Sequence, residues 1–324
     1  MTSTVPIVAL CGGVGAARLL RGLVRVADPG STTAIVNVGD DTVLHGLAIS
    51  PDLDTITYNL AGLSDEDRGW GLAGETWHAM AALGRLAGER PAGSSAGSTW
   101  FSLGDSDLAM HLYRTGRLVE GAALSTVTAE VGRALGVGLS LVPVTDDALR
   151  TRVTLAATGE EVGFQEWFVG MGHSPPVAGV RFDGADTARP SPGVLDAIEG
   201  ATRIVICPSN PIVSIDPVLA VGGVRGAVEA RREDCVAISP IVAGAALKGP
   251  AARLLSDLGH DASVVGIARI YAALASTLVI DRADAGLAGE VEQAGMRCVV
   301  TNTVMRSLED AAALAPVALD AGRT

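Results

Sequence analysis

The sequence predicts an α/β fold: one domain over residues 1–324 with a doubly wound, mostly parallel sheet and a mainly helical insertion at about 64–186. Three observations predict it. Short apolar runs without polar alternation recur along the chain, as strands buried on both faces require. Helical patterns separate most of them, which is how parallel strands are connected. Hydrophobic residues make up 48% of the chain but aromatics only 3%, so the core must be built of Ala, Val, Leu and Ile.

The elements follow in order. "PIVAL" reads as the first strand, and a glycine turn leads from it into the helix start "AARLLRGL". "TAIVNVG" is the second strand and closes a βαβ unit. Inside the insertion a helical pattern covers 75–87, and "ERPAGSSAGST" is a Gly/Ser/Pro-rich loop. A helix begins near "GDSD", with Asp105 or Ser106 as its cap. "VTLAATGEEVGFQEWFVG" reads as a small hairpin followed by an apolar segment. Beyond it come a helix at 193–201 and the strands "TRIVICPSNP", "DCVAISPI", "STLVID" and "RCVVTNT".

Composition excludes several classes of function. A net charge of −12 repels nucleic-acid backbones and anionic membranes, so the expected partner is a small molecule. An anionic substrate then needs a local cationic patch or a metal ion. Four cysteines with no C-x-x-C pair argue against a zinc or disulfide framework and fit a reducing, cytoplasmic setting. No basic leader region precedes the first strand, and no apolar run reaches the ~18 residues that a membrane span needs. Nucleophile-elbow, zincin and Walker motifs are missing from the sequence.

Five stretches can carry chemistry. The turn Gly12, Gly13, Gly15 opens a helix whose first N–H groups can meet an anion, with Arg18 and Arg21 nearby, but its spacing is not that of a dinucleotide fingerprint. It is either an anion turn or only a tight connection. Asp40, Asp41, Asp52 and Asp54 follow the second strand, where open sheets collect ligands. Such a cluster suits a hard cation such as Mg2+ bridging a phosphorylated substrate, or else caps turns. Asp105 and Asp107 open a helix on which His111 lies one turn on, and a lone histidine there reads as structural. Ser209, Asn210 and Ser214 sit in a proline-stiffened loop after a buried strand and offer groups to a phosphate. Lys248, in a glycine-containing loop, is either a phosphate neutraliser or a solvated side chain.

Taken in order, "GGVGAARLLRGL", "NVGDDTVLHGL", "SPDLDTITYNLAG", "RGWGLAGETWHAM", "WFSLGDSDLAMHLYRT", "LVPVTDD", "FQEWFVG", "PSNPIVSIDPVLAV" and "SPIVAGAALKGPA" resemble the 2-phospho-L-lactate transferase family (CofD/FbiA) of coenzyme F420 biosynthesis. The resemblance spans residues 7 to about 253, and the rest of the chain matches loosely. It implies a Rossmann-like fold, a homodimer and a Mg2+-dependent transferase. That reaction moves a phospholactyl or phosphoenolpyruvyl group from a guanosine diphospho-donor to the ribityl hydroxyl of the deazaflavin Fo and releases GMP. Asp40, Asp41 and Asp54 are then the catalytic candidates, and Asp40, Asp52 and Asp54 the metal ligands. Asp54, Ser102, Asp105 and Asp107 are expected on the Fo side. Gly12, Gly13, Gly15, Arg18, Ser209, Asn210, Ser214 and Lys248 are expected on the nucleotide side.

The chain departs from the family pattern at Ala16 and Ala17, where a glycine and a small residue are usual. Ser106 stands in place of the arginine of "GDRD", and Ser102 where some relatives carry a basic residue. The competing expectation from another class is a non-catalytic nucleotide- or nucleotide-sugar-binding regulator of the YvcK type.

Overall fold

The computed structural model describes residues 5–91, 94–246 and 249–322. The chain begins with β1 (Ile7–Cys11), all five residues of which are buried. Then come α1 (Gly13–Val26) and β2 (Thr32–Val36). A tight hairpin follows, β3 (Thr42–Leu44) and β4 (Leu47–Ile49). Its two-residue turn, His45–Gly46, has φ of 54° and 77°, the paired positive angles that match strand twist. Next are α2 (Pro51–Leu60), started by a proline in its first turn, α3 (His78–Ala87), α4 (Asp105–Val119) and α5 (Leu124–Ala134).

Four strands follow: β5 (Ser140–Pro143), β6 (Arg150–Leu155), β7 (Glu161–Gly163) and β8 (Val177–Asp183). The second half of the chain contains α6 (Val194–Gly200), β9 (Arg203–Ile206), α7 (Asp216–Ala220), α8 (Val224–Ala230) and β10 (Cys235–Ile238). It continues with β11 (Ile241–Val242), β12 (Ala245–Ala246), α9 (Ala251–Asp257) and α10 (Val264–Tyr271). The last elements are β13 (Thr277–Asp281), α11 (Ala288–Gln293), β14 (Arg297–Thr301) and α12 (Leu308–Asp320).

Seven strands form one sheet in the order β14-β13-β10-β9-β1-β2-β5, and every neighbouring pair is parallel. This is the Rossmann-like α/β fold. Its core is the aliphatic one that the composition demands: β1, β9, β10 and β13 are buried throughout. Strand order reverses between β1 and β9, so a crevice opens beyond their carboxyl ends. Among the described residues no single helix is long and apolar enough to cross a membrane.

The insertion differs from the expectation of a mainly helical segment. Residues 64–186 hold α3, α4 and α5, but β5 joins the central sheet as its edge strand. The three strands after it form a separate antiparallel sheet, β7-β6-β8. The sequence "RTRVTL" buries every second residue, the period of a strand covered on one face only. The β6–β7 hairpin is the one expected; β8 was not expected.

Candidate active site

A cavity of about 820 Å3 opens at the switch point between β1 and β9. That is the size of a small-molecule site. Three loops at the carboxyl edge of the sheet build one side of it. The first carries the glycine turn. A Cβ on Gly12 would fall 2.6 Å from Ser214 Cβ, and one on Gly15 would fall 2.2 Å from the Pro208 carbonyl oxygen. Glycine is therefore required for the loops after β1 and β9 to close on each other. Ser209 fastens them: its hydroxyl accepts from Gly12 N at 3.3 Å and donates to Gly12 O at 2.7 Å. This hydroxyl is spent on the protein itself. Asn210 is different. Its Oδ1 accepts from Ile212 N, while its buried Nδ2 has no partner among the described residues. Asn210 lines the cavity, so that amide is a donor available to a ligand. Gly13, Ser214 and Arg18 line it too.

The aspartates divide into unlike groups. Asp52 accepts from Gly13 N at 2.7 Å and from Asn37 Nδ2 at 2.9 Å, and the same Nδ2 lies 3.1 Å from Asp40 Oδ1. Asn37 thus holds two buried carboxylates side by side. Burial, and then repulsion from Asp52, keeps the Asp40 carboxyl well above the usual range. Burial pushes Asp52 up to about 6, with the Asn37 and Gly13 hydrogen bonds opposing it. Neither has an ion-pair partner among the described residues. Asp54, one helical step further on, is occupied: both its oxygens accept from the buried guanidinium of Arg114. The proposed metal trio therefore does not assemble. Among the described residues no three His, Cys, Asp or Glu side chains are placed to hold one ion. Asp41 turns away, accepting from Ser50 Oγ at 2.9 Å, and faces a second cavity of about 360 Å3 beside Arg150. Burial pushes its carboxyl up to about 7, against the pull of Arg150 and Arg114.

Arg114 also anchors a buried chain of polar groups. Its Nη1 lies 3.3 Å from His111 Nδ1, and since arginine only donates, Nδ1 must be the bare nitrogen. His111 Nε2 then carries the proton and faces Asp107 Oδ2 at 3.2 Å. Asp107 accepts from Tyr58 OH at 2.5 Å. Asp54, Tyr58, Asp107 and His111 all line the cavity, so the histidine expected to be structural is also part of its wall.

Asp105 is not in the cavity lining, contrary to expectation. Its carboxylate accepts from the backbone N–H groups of His78 and Ala79 and caps α3, not α4. In return Glu75 accepts from Ser106 N at 2.9 Å and Asp107 N at 2.8 Å and caps α4, whose own cap position is Gly104. Short side chains at a helix start satisfy N–H groups wherever those point, so sequence position alone misassigns the cap. Lys248 lies outside the described residues. Arg21 pairs with Glu66 at 2.6 Å.

Aromatic side chains line the cavity as well; the resemblance set Ser102 and the stretches "RGWG" and "FQEW" on the Fo side, but the rings as a group were not singled out. Of the eleven aromatic residues in the chain, six line the cavity: Tyr58, Trp70, Trp100, Phe101, Phe164 and Phe168. Phe164 and Phe168 stack at 5.4 Å with an 8° interplanar angle, and His173 stacks on Phe168 at 5.5 Å. Trp100 and Phe101 meet edge to face at 5.7 Å. A π-turn, with Met171 N donating to Glu166 O, swings Phe168 and Val169 toward the site. Such turns are rare and recur at functional sites. One signal was available: ten of the eleven aromatics fall between residues 58 and 182. Also missed was the loop 303–306 after β14, which lines the cavity beside the glycine turn.

Fold and site together define a Rossmann-like α/β protein whose switch-point cavity is lined by paired carboxylates, a glycine turn and aromatic rings. The chain belongs to the CofD family: the family described as 2-phospho-L-lactate transferase CofD matches residues 7–310. It is accordingly an enzyme, a transferase. It is 40% identical over 317 residues to the phosphoenolpyruvate transferase of Streptomyces griseus, covering 97% of each chain. It is 42% identical to that of Nocardia farcinica over 280 residues, 85% of this chain and 82% of the relative. Among solved structures, protein BH3568 from Bacillus halodurans superposes with a TM-score of 0.61 at 18% identity, over 98% of this chain and 100% of that one. That likeness shows the fold alone.

Proposed function

We propose that the protein moves a phosphoenolpyruvyl group from enolpyruvyl-2-diphospho-5′-guanosine to the ribityl hydroxyl of Fo, releasing GMP, as a step of coenzyme F420 biosynthesis in the cytoplasm. The phospholactyl donor is the alternative; relatives 40% identical over nearly the whole chain carry the name phosphoenolpyruvate transferase, which favours the first. One observation carries the reading: a single cavity is lined by a glycine turn, by buried carboxylates and by six aromatic side chains. A flat deazaflavin matches the aromatic wall, where stacking is worth ~1–3 kcal/mol per ring system. A diphosphate matches the first turn of α1, whose leading N–H groups lack partners within the helix, together with the free amide of Asn210.

No covalent enzyme intermediate is needed. The hydroxyl oxygen attacks the phosphorus bearing the enolpyruvyl group, and catalysis is positioning plus charge neutralisation. Asp54, held in place by Arg114, accepts the hydrogen bond of the attacking hydroxyl and orients it. Asp40 and Asp52 fit a divalent cation, being buried, adjacent and without a protein cation. Mg2+ held there would neutralise the donor's phosphate charge. Tyr58, Asp107 and His111 brace the acceptor side and exclude water. The test is incubation with Fo, each donor and Mg2+, followed by mass spectrometry. A phosphodiester of Fo and one GMP per turnover are expected, faster with the enolpyruvyl donor. No product from either donor would sink the reading.

A further inference from the structure

The cations of the cavity wall are unevenly used. Arg68 is paired with Asp65 at 3.1 Å and lies over Trp70 and Trp77, so it belongs to the aromatic side. Arg18 and Arg306 line the other end, and among the described residues neither forms an ion pair. Arg18 projects from α1, and its Nη1 donates to Met305 O at 3.0 Å. Arg306 lies in the loop 303–306, so the two arginines flank one short piece of backbone.

That loop is held by more than its covalent ends. Asp281, at the carboxyl end of β13, accepts from Thr303 N at 2.8 Å and Thr303 Oγ1 at 3.2 Å. Its other oxygen accepts from Ala283 N at 2.9 Å. On the far side Asp310 accepts from Arg306 N at 2.9 Å, within a capping box that starts α12. Asp281 and Thr303 are both buried. The loop is therefore stapled at each end, and its one charged side chain, Arg306, lines the cavity.

We infer that Arg306 and Arg18 clamp the leaving phosphate, the one released on the nucleoside monophosphate, and that Asp281 is the positioning residue that sets Arg306 in place. The inference rests on the proposed transfer and assigns it a direction. The acceptor oxygen forms a bond to the transferred phosphorus, and the bond from that phosphorus to the bridging oxygen breaks. The electron pair of the broken bond stays on the nucleotide phosphate, and the hydroxyl proton passes to a wall carboxylate or to solvent. One unit of negative charge thus develops at the leaving phosphate. The wall carboxylates Asp40, Asp52 and Asp54 cannot offset it, whereas two guanidinium groups that form no ion pair among the described residues can.

The experiment measures GDP binding by calorimetry and Fo binding by fluorescence, on the full chain with Mg2+, for the wild type, Arg306→Ala, Asp281→Asn and Thr303→Val. Arg306→Ala should weaken GDP at least about tenfold and leave Fo affinity within about twofold. Asp281→Asn should weaken GDP severalfold without touching Fo, a split that general loosening of the fold would not produce. Thr303→Val removes one bond of the same staple and should move GDP in the same direction by less. Unchanged GDP affinity in Arg306→Ala, or equal losses for GDP and Fo, overturns the clamp. If the wild type binds both ligands and Arg306→Ala is silent, the clamp alone fails. If the wild type binds neither, the reading of the site fails and the clamp with it.

Discussion

The two walls of the cavity are made in different ways. The sheet-edge wall comes from loops that leave buried parallel strands, and its groups sit within a few residues of a strand end: Gly12 after β1, Asp40 after β2, Ser209 after β9. Apart from Tyr58 on α2, the aromatic residues of the cavity come from the insertion, and their rings are gathered from segments nearly a hundred residues apart, from Trp70 to Phe168. The first is specified by local sequence and the second by tertiary packing. Arg114 joins them, since it stands on α4 of the insertion and holds Asp54 on α2 beside the sheet.

This contrast can be broken at four points, from the largest effect to the smallest. Arg114→Leu leaves Asp54 buried without its partner and severs the bridge. It should cost about 3–5 kcal/mol in a denaturation experiment, the range for breaking a buried pair. A loss of less than about 1 kcal/mol would show that the walls do not depend on that pair. Asp52→Ala strikes the sheet side alone, removing the acceptor for Gly13 N and Asn37. A drop of about 10²–10³ in kcat/KM is expected, with the loss in the chemical step and not in the KM for Fo. Phe168→Ala strikes the aromatic side alone and should raise the KM for Fo about 10- to 100-fold with donor KM unchanged. A rise in donor KM instead would place the nucleotide on the aromatic side. Glu75→Ala removes the cap of α4 at no contact with either ligand and should cost about 1 kcal/mol of stability with little change in turnover.

The same contrast explains what was legible in the sequence. "PIVAL", "TAIVNVG" and "DCVAISPI" announce strands because a strand covered on both faces must be apolar at every position. Ser140–Pro143 escaped notice because it is a four-residue edge strand with exposed and half-buried positions. The insertion was read as mainly helical because its antiparallel strands are half-exposed and mix arginine and threonine with valine. At the site, aspartates after a strand end pointed to the cavity, but not to how each is engaged there. Nothing local says that Asn37 would gather Asp40 and Asp52 while Arg114, sixty residues on, would take Asp54. Ser209 looked like a ligand group and turned out to fasten the glycine turn, since only the folded chain shows Gly12 beside it. The glycine spacing that fails as a dinucleotide fingerprint is accounted for by close approach: Gly12 meets Ser214 and Gly15 meets Pro208.

The central claim is that acceptor and nucleotide lie on opposite walls with the carboxylates between them. A crystal structure with Fo and GDP bound together tests it most directly. The account predicts the deazaflavin ring against Phe168 and Trp100, with its ribityl chain toward Asp54, and the GDP phosphates at the first turn of α1 within reach of the Asn210 amide. A deazaflavin ring seated away from the aromatic wall, or GDP phosphates bound among Trp70, Trp100 and Phe168, would contradict it.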